Sequence, residues 1–116
     1  MVLAMEWERL TSPEELDALL ERSIEVPQLI FKHSSRCSLS SMAFNRLQTD
    51  LPNVGQYFLD IIKYRELSNL IAQKFEITHQ SPQILIIHNQ RCIFDTSHFN
   101  ISSSVINEEI NLIHKV

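Results

Sequence analysis

Three short apolar runs constrain this chain more than any other feature: Gln28 to His33 (Gln-Leu-Ile-Phe-Lys-His), Gln56 to Ile62 (Gln-Tyr-Phe-Leu-Asp-Ile-Ile) and Gln83 to His88 (Gln-Ile-Leu-Ile-Ile-His). Each is too short for a buried helix and lacks the alternation of a half-solvated strand. Runs like these suit strands covered on both faces, as in a mostly parallel sheet between helices. The intervening stretches read as those helices. Ser12 suits an N-cap, Pro13 the first helical position, and Glu15 completes a capping box. Leu16, Leu19, Leu20 and Ile24 then recur at helical spacing. Leu39, Met42, Ala43 and Leu47 predict a second helix, Leu67, Leu70, Ile71 and Phe75 a third, and Val105, Ile106, Ile110, Leu112 and Ile113 a closing one.

Leu51-Pro52-Asn53-Val54-Gly55 reads as a turn. Asn89-Gln90 is expected to turn the third strand into Arg91 to Asp95 as a hairpin, because Asn tolerates positive φ. The two strand–helix–strand steps favour parallel pairing through right-handed crossovers. The hairpin adds an antiparallel edge, and one further strand could precede the first helix. The expected fold is α/β: a mixed four- or five-stranded central sheet flanked by helices on both faces, in a single domain over residues 1–116. A chain of 116 residues buries about two thirds of its unfolded surface and needs no metal or disulfide to fold. Its single glycine leaves turns to Asn, Asp, Ser and Pro.

The net charge of −4 argues against a nucleic-acid binder held by phosphate contacts, and against an anionic membrane surface as partner. Runs such as Ile84–Ile87 fall far short of the roughly 18 residues of a membrane-spanning helix. Residues 1–8 have neither a basic region nor a long apolar stretch, so no signal peptide is expected. With two cysteines, Cys37 and Cys92, the chain is expected in a reducing cytoplasm. The five histidines, His33, His79, His88, His98 and His114, show no metal-ligand spacing, so no metal is expected.

Arg36-Cys37-Ser38-Leu39-Ser40 places a cysteine where a strand-to-helix loop becomes a helix. Unpaired amides and the positive dipole end favour a thiolate there, and the thiolate is the nucleophile. Arg36 adds a positive charge, which Lys32 and His33 could reinforce. Ser40 stands three residues on, where a dithiol protein carries its second cysteine; its hydroxyl can donate to a thiolate but cannot resolve a mixed disulfide. The position alone equally suits a small side chain packed under a loop. A Cys–His dyad, with His33, His79 or His98 as base, is a further alternative, but no oxyanion signature accompanies it. Cys92, on the last expected strand, reads as a strand cysteine with no redox task. Ser81-Pro82 opens the third strand, where a proline cannot donate to a central ladder.

The order of strand, loop, cysteine at a helix start, helix, strand, helix and proline before a hairpin resembles a thioredoxin-like fold. Within it the chain resembles the monothiol bacilliredoxins. The resemblance rests on Tyr64-Arg65-Glu66-Leu67-Ser68-Asn69, Ile71-Ala72, His79-Gln80-Ser81-Pro82-Gln83 and Ser97-His98-Phe99-Asn100-Ile101-Ser102, together with Cys37. It implies a catalytic Cys37, a cis-proline at Pro82, and a substrate groove involving Arg36, Ser40, Ser81, Pro82, Gln83 and His98. It also implies no bound cofactor, S-thiolated client proteins as partners, and the low-molecular-weight thiol bacillithiol as co-substrate. The implied activity is debacillithiolation by thiol–disulfide exchange. Glutathione chemistry of the glutaredoxin kind, or a non-catalytic binding module, are the alternatives. Three positions depart from ordinary thioredoxins: Arg36 replaces a Trp, Phe31 a buried acid, and Ser40 the second cysteine. Ser38-Leu39 also lacks the proline common between the cysteine and the third following residue in monothiol bacilliredoxins.

Overall fold

The computed structural model describes residues 7–47, 51 and 54–114. All three apolar runs are strands: β2 (Gln28–His33), β3 (Gly55–Asp60) and β4 (Gln83–His88). A short β1 (Trp7–Arg9) precedes helix α1 (Pro13–Arg22), and β5 (Arg91–Ser97) follows the Asn89-Gln90 turn. Helices α2 (Ser38–Arg46), α3 (Arg65–Phe75) and α4 (Ser103–His114) complete the chain, with a 3-10 turn η1 (His98–Asn100) before α4. The sheet has five strands in the order β1-β3-β2-β4-β5.

Expected local signals act as expected. The Ser12 hydroxyl accepts from the Glu15 amide at 3.2 Å, and the Glu15 carboxylate accepts from the Thr11 amide at 2.7 Å. Asn89 and Gln90 both sit at positive φ, 52° and 65°, the geometry a two-residue hairpin requires. Asp60, which closes β3 two residues earlier than the run suggests, turns the chain by accepting from the Ile62 and Lys63 amides. Pro52 and Asn53 of the expected turn lie outside the described residues.

One pairing differs from the expectation. Strands β1, β3 and β2 are parallel, but β4 does not join β3: it lies on the other side of β2 and runs antiparallel to it. The reason is the connection. Helix α3 leaves the end of β3, which is level with His33, and carries the chain about 16 Å back along the sheet. The seven residues 76–82, about 23 Å when extended, then return it, so that β4 starts beside Lys32.

Helices α1 and α3 cover one face, where Leu16, Leu19, Leu67 and Ile71 pack on Ile30, Leu59 and Leu85. On the other, Phe44, Ile106 and Ile110, from α2 and α4, pack on Phe31, Phe58 and Ile84. Four apolar residues assigned to helical faces, Ile24, Met42, Leu70 and Leu112, are exposed rather than packed in these cores. Ile24 lies beyond the end of α1. Met42 is exposed because α2 buries Ser40, Ala43 and Phe44 instead. Leu70 is exposed on α3. The single glycine, Gly55, opens β3, where the Gln28 carboxamide fills the space a Cβ would need. Among the described residues, positive φ falls instead to Glu76, Asn89, Gln90 and His98, of which Asn89 and Gln90 form the expected hairpin turn.

Candidate active site

Cys37 is the N-cap of α2, with extended backbone (φ −117°, ψ 115°). It is half-buried, between exposed Arg36 and Ser38. Its amide donates to Ser34 O at 3.1 Å, and its carbonyl accepts from the Ser40 and Ser41 amides, so the loop from β2 closes directly into the helix. Cys37 thus stands at the helix end whose first amides lack partners inside an α-helix, although its side chain makes no capping hydrogen bond there.

Ser40 is fully buried. Its oxygen accepts from the Ser34 amide at 3.1 Å and lies 2.7 Å from His33 Nδ1. Both partners belong to the protein, so the hydroxyl ties the cysteine loop to the end of β2. Burial lowers the His33 pKa, against an opposing pull from Asp60. A neutral ring packs readily among Phe31, Phe44 and Phe58, with the His33–Phe58 centroids 4.9 Å apart. Phe31 itself is surrounded by Trp7, Phe44 and Phe58. A carboxylate there would be buried without compensation.

Lys32 points to the opposite face of β2 and is fully buried. Its ammonium donates to Ser68 O at 3.2 Å and to His79 Nδ1 at 3.2 Å. Burial pushes its pKa down to about 8, partly opposed by Asp95 and Cys92. Burial also lowers the His79 pKa, as do the positive charges of Lys32 and Arg65, which suits His79 as acceptor. Sequence reasoning missed this brace. The signal was a lysine inside a run whose other residues all read as core.

The Ser81–Pro82 bond is cis. Lys32 pairs with Gln83, and Gln83 with Ser97. Pro82 and His98 therefore gather at the same end of the sheet as His33, from which the Cys37 loop departs. Pro82 O accepts from the His98 amide at 3.1 Å. Gln83 is fully buried. Its carboxamide donates to Thr78 O and to Asp95, and accepts from the Gln80 amide, so it fixes the loop before Pro82. The Ser81 hydroxyl is buried without a hydrogen-bond partner. His98 is half-buried, at φ 55°.

Cys92 lies elsewhere. It pairs with Ile87, and Ile87 with Gln28, so it is level with the start of β2 rather than its end. Five residues of strand separate those levels, about 16 Å, and β5 is two strands from β2, about 10 Å. A disulfide needs Cα atoms within about 7 Å. Burial, with the Asp95 charge, pushes the Cys92 thiol up to about 11. Near neutral pH the Cys92 thiol therefore stays protonated. Iodoacetamide at that pH is expected to label Cys37 well before Cys92; faster labelling of Cys92 in tryptic mass spectra would overturn this assignment. Among the described residues, no group of three or more His, Cys, Asp or Glu is placed to hold a metal.

The parallel β1-β3-β2 arrangement and the antiparallel β4-β5 pair, with a cysteine at the start of α2 and a cis-proline before β4, are those of the thioredoxin fold, the fold of a class of thiol-redox proteins. Solved structures share that fold. A protein described by its thioredoxin fold is similar at 25% identity, a TM-score of 0.81, and coverage of 89% of this chain and 92% of that one. A thioredoxin variant from Halobacterium salinarum is similar at 12% identity and a TM-score of 0.73, over 97% and 94% of the two chains. Thioredoxin from Malassezia sympodialis follows at 17% and 0.66, again over 97% and 94%. The family model described as monothiol bacilliredoxin BrxC matches residues 8–106, and the chain belongs to that family.

Proposed function

We propose that this protein removes bacillithiol from S-thiolated client proteins by thiol–disulfide exchange at Cys37, as a single thioredoxin-like unit working in the cytoplasm. The observation that carries the reading is the cysteine loop itself. Cys37 is half-buried at a helix start, and the position three residues on is a buried, hydrogen-bonded serine.

The Cys37 thiolate attacks the capping sulfur. The client's S–S bond breaks, the client cysteine leaves as thiolate and takes a proton, and a Cys37–bacillithiol disulfide forms. With Ser40 in the second position and Cys92 far along the sheet, the adduct waits for another thiol. A second bacillithiol, as thiolate, attacks the cap, releasing Cys37 and a bacillithiol disulfide. Exchange of this kind depends on thiolate fraction, nucleophilicity and the leaving thiol. Arg36 adds a cation beside the reacting sulfurs. Ser81 offers its backbone to an extended client segment, as in thioredoxin-like proteins, while Pro82 and His98 border the groove. Ser40 and Gln83 act by holding the two loops.

The test is intact-protein mass spectrometry after incubation with oxidised bacillithiol or oxidised glutathione, in the presence and absence of the reduced thiol. One bacillithiol per chain, on Cys37 and removed by excess reduced bacillithiol, is expected. A glutathione adduct formed in preference redirects the reading to deglutathionylation. No adduct with either thiol, and a Cys37 as slow to alkylate as Cys92, points to a non-catalytic module.

A further inference from the structure

The segment 78–82, which ends in the cis-proline, is tied down at several points. Thr78 O accepts from the Gln83 carboxamide at 3.0 Å, and the Gln80 amide donates to the same carboxamide at 3.3 Å. Pro82 O accepts from the His98 amide at 3.1 Å. These bonds run to β4 and to the turn after β5. Half-buried His79 makes the tie to β2 and α3. Its Nδ1 accepts from the Lys32 ammonium at 3.2 Å, with Ser68 Oγ 3.4 Å from the same nitrogen.

This tie is chemically specific. An ammonium has donors only, so His79 Nδ1 turns its lone pair to Lys32, and the ring's one proton sits on Nε2. A second proton, on Nδ1, would break the bond and set one cation against another. The charged groups that act on the ring are both positive, Lys32 from β2 and Arg65 from α3, and together with burial they resist that proton. Asp95 and Cys92, on β5, act on Lys32 instead and favour its charge. A fully buried lysine is a costly brace for a loop. An apolar pair would join the same two segments without that cost. The brace stands where the chain carries Ser81 and Pro82 to the end of the sheet from which the Cys37 loop departs.

We propose that His79 is a positioning residue for exchange at Cys37: as a neutral acceptor on the Lys32 ammonium it holds the Ser81–Pro82 segment in place, and on taking up a proton it lets that segment go. The proposal rests on the exchange reading and says what keeps the site assembled and why acid dismantles it. His79 acts through the loop. The geometry in which a capped protein is met therefore depends on it, while the nucleophilicity of Cys37 does not.

The experiment follows loss of bacillithiol from a capped single-cysteine protein, with excess reduced bacillithiol present. Each rate is divided by the rate at which iodoacetamide alkylates Cys37 in the same variant at the same pH. His79→Leu removes the acceptor. His79→Asn replaces it, because the Asn carbonyl oxygen is as many bonds from the backbone as Nδ1 and does not titrate. At about pH 7.5 the normalised rate is expected to fall about tenfold in His79→Leu, the scale of one lost bond to a charged group, and to stay within about twofold of wild type in His79→Asn. On acidification the wild-type rate is expected to drop below that of His79→Asn, over the pH range in which NMR shows the His79 ring taking up its proton. Three outcomes overturn the assignment while leaving exchange at Cys37 standing: His79→Leu as fast as wild type, His79→Asn as slow as His79→Leu, or wild-type and His79→Asn profiles that coincide through that range. A wild-type protein that removes no cap at any pH overturns the exchange reading, and the role of His79 with it.

Discussion

Cys37→Ser is expected to abolish release of bacillithiol from a capped protein, lowering the rate by at least about a thousandfold, while Cys92→Ser retains most of it. The difference is chemical. Attack on a disulfide sulfur requires a thiolate, and a serine hydroxyl at neutral pH is almost wholly protonated and displaces no thiol. Ser40 cannot take over: its oxygen is already engaged by the Ser34 amide and His33, and it is a hydroxyl too. Cys92 cannot take over either. It lies level with Gln28, at the far end of β2, and its burial holds the thiol protonated. The measurement is loss of the cap from a client protein, followed by mass with excess reduced bacillithiol present. A Cys37→Ser variant that keeps its activity, or a Cys92→Ser variant that loses it, refutes the single-cysteine mechanism. Wild-type turnover without added thiol would refute it equally, because the Cys37 adduct would then have found a resolving group within the chain.

What could be read from the sequence was what short-range chemistry decides. Ser12-Pro13 fixes where α1 starts, Asn89-Gln90 where the hairpin turns, and the unbroken apolar runs give β2 and β4 their full lengths. Cys37 at the start of α2 follows from the same kind of signal. Pairing is a long-range property, and there the local signals ran out. Nothing within residues 76–82 announces that they climb the sheet and reverse β4. Periodicity also counts apolar residues without saying which way they face, so Met42 and Leu70 joined helical stripes that the core does not use. At the site, Cys37, Pro82 and His98 gather at one end of the sheet. The partners that hold them were hidden: Ser40 on His33, Gln83 on Thr78, Lys32 on His79. The Lys32–His79 contact joins segments far apart in sequence, and the other two close loops within a few residues; in all three the residue types alone do not reveal the bond.

Lys32→Met is expected to make the protein more stable at pH 7, by about 1–3 kcal/mol, and less active. Lys32 is fully buried on β2, and burial has taken its pKa from 10.5 to about 8. Each unit of such a shift is about 1.4 kcal/mol. Below pH 8 both the folded and the unfolded chain hold the proton, so the cost of burying the ammonium is present in full. Between about pH 8 and 10.5 the unfolded chain still holds a proton that the folded chain has released, and stability from this group rises with pH. Above 10.5 neither state holds it, and the cost is gone. Methionine has a similar volume and no charge, so it removes the cost at low pH and the rise with it. The gain is reduced by the lost bonds to Ser68 O and His79 Nδ1, roughly 1 kcal/mol each. Urea unfolding of both proteins from pH 7 to 10.5 measures the effect: the variant's advantage should be largest near pH 7 and shrink as the pH passes 8. A variant less stable at pH 7, or an advantage constant across the range, would show that Lys32 is not carrying a buried charge. The activity falls for a separate reason. Without the ammonium, the loop from His79 to Pro82 loses its tie to β2 and keeps only the longer Ser68 Oγ contact to α3, at 3.4 Å, so exchange with a capped protein should slow several-fold while alkylation of Cys37 proceeds at its normal rate. A stabilised variant with slower exchange and an unchanged Cys37 would identify Lys32 as a residue that positions the Pro82 loop at the expense of stability.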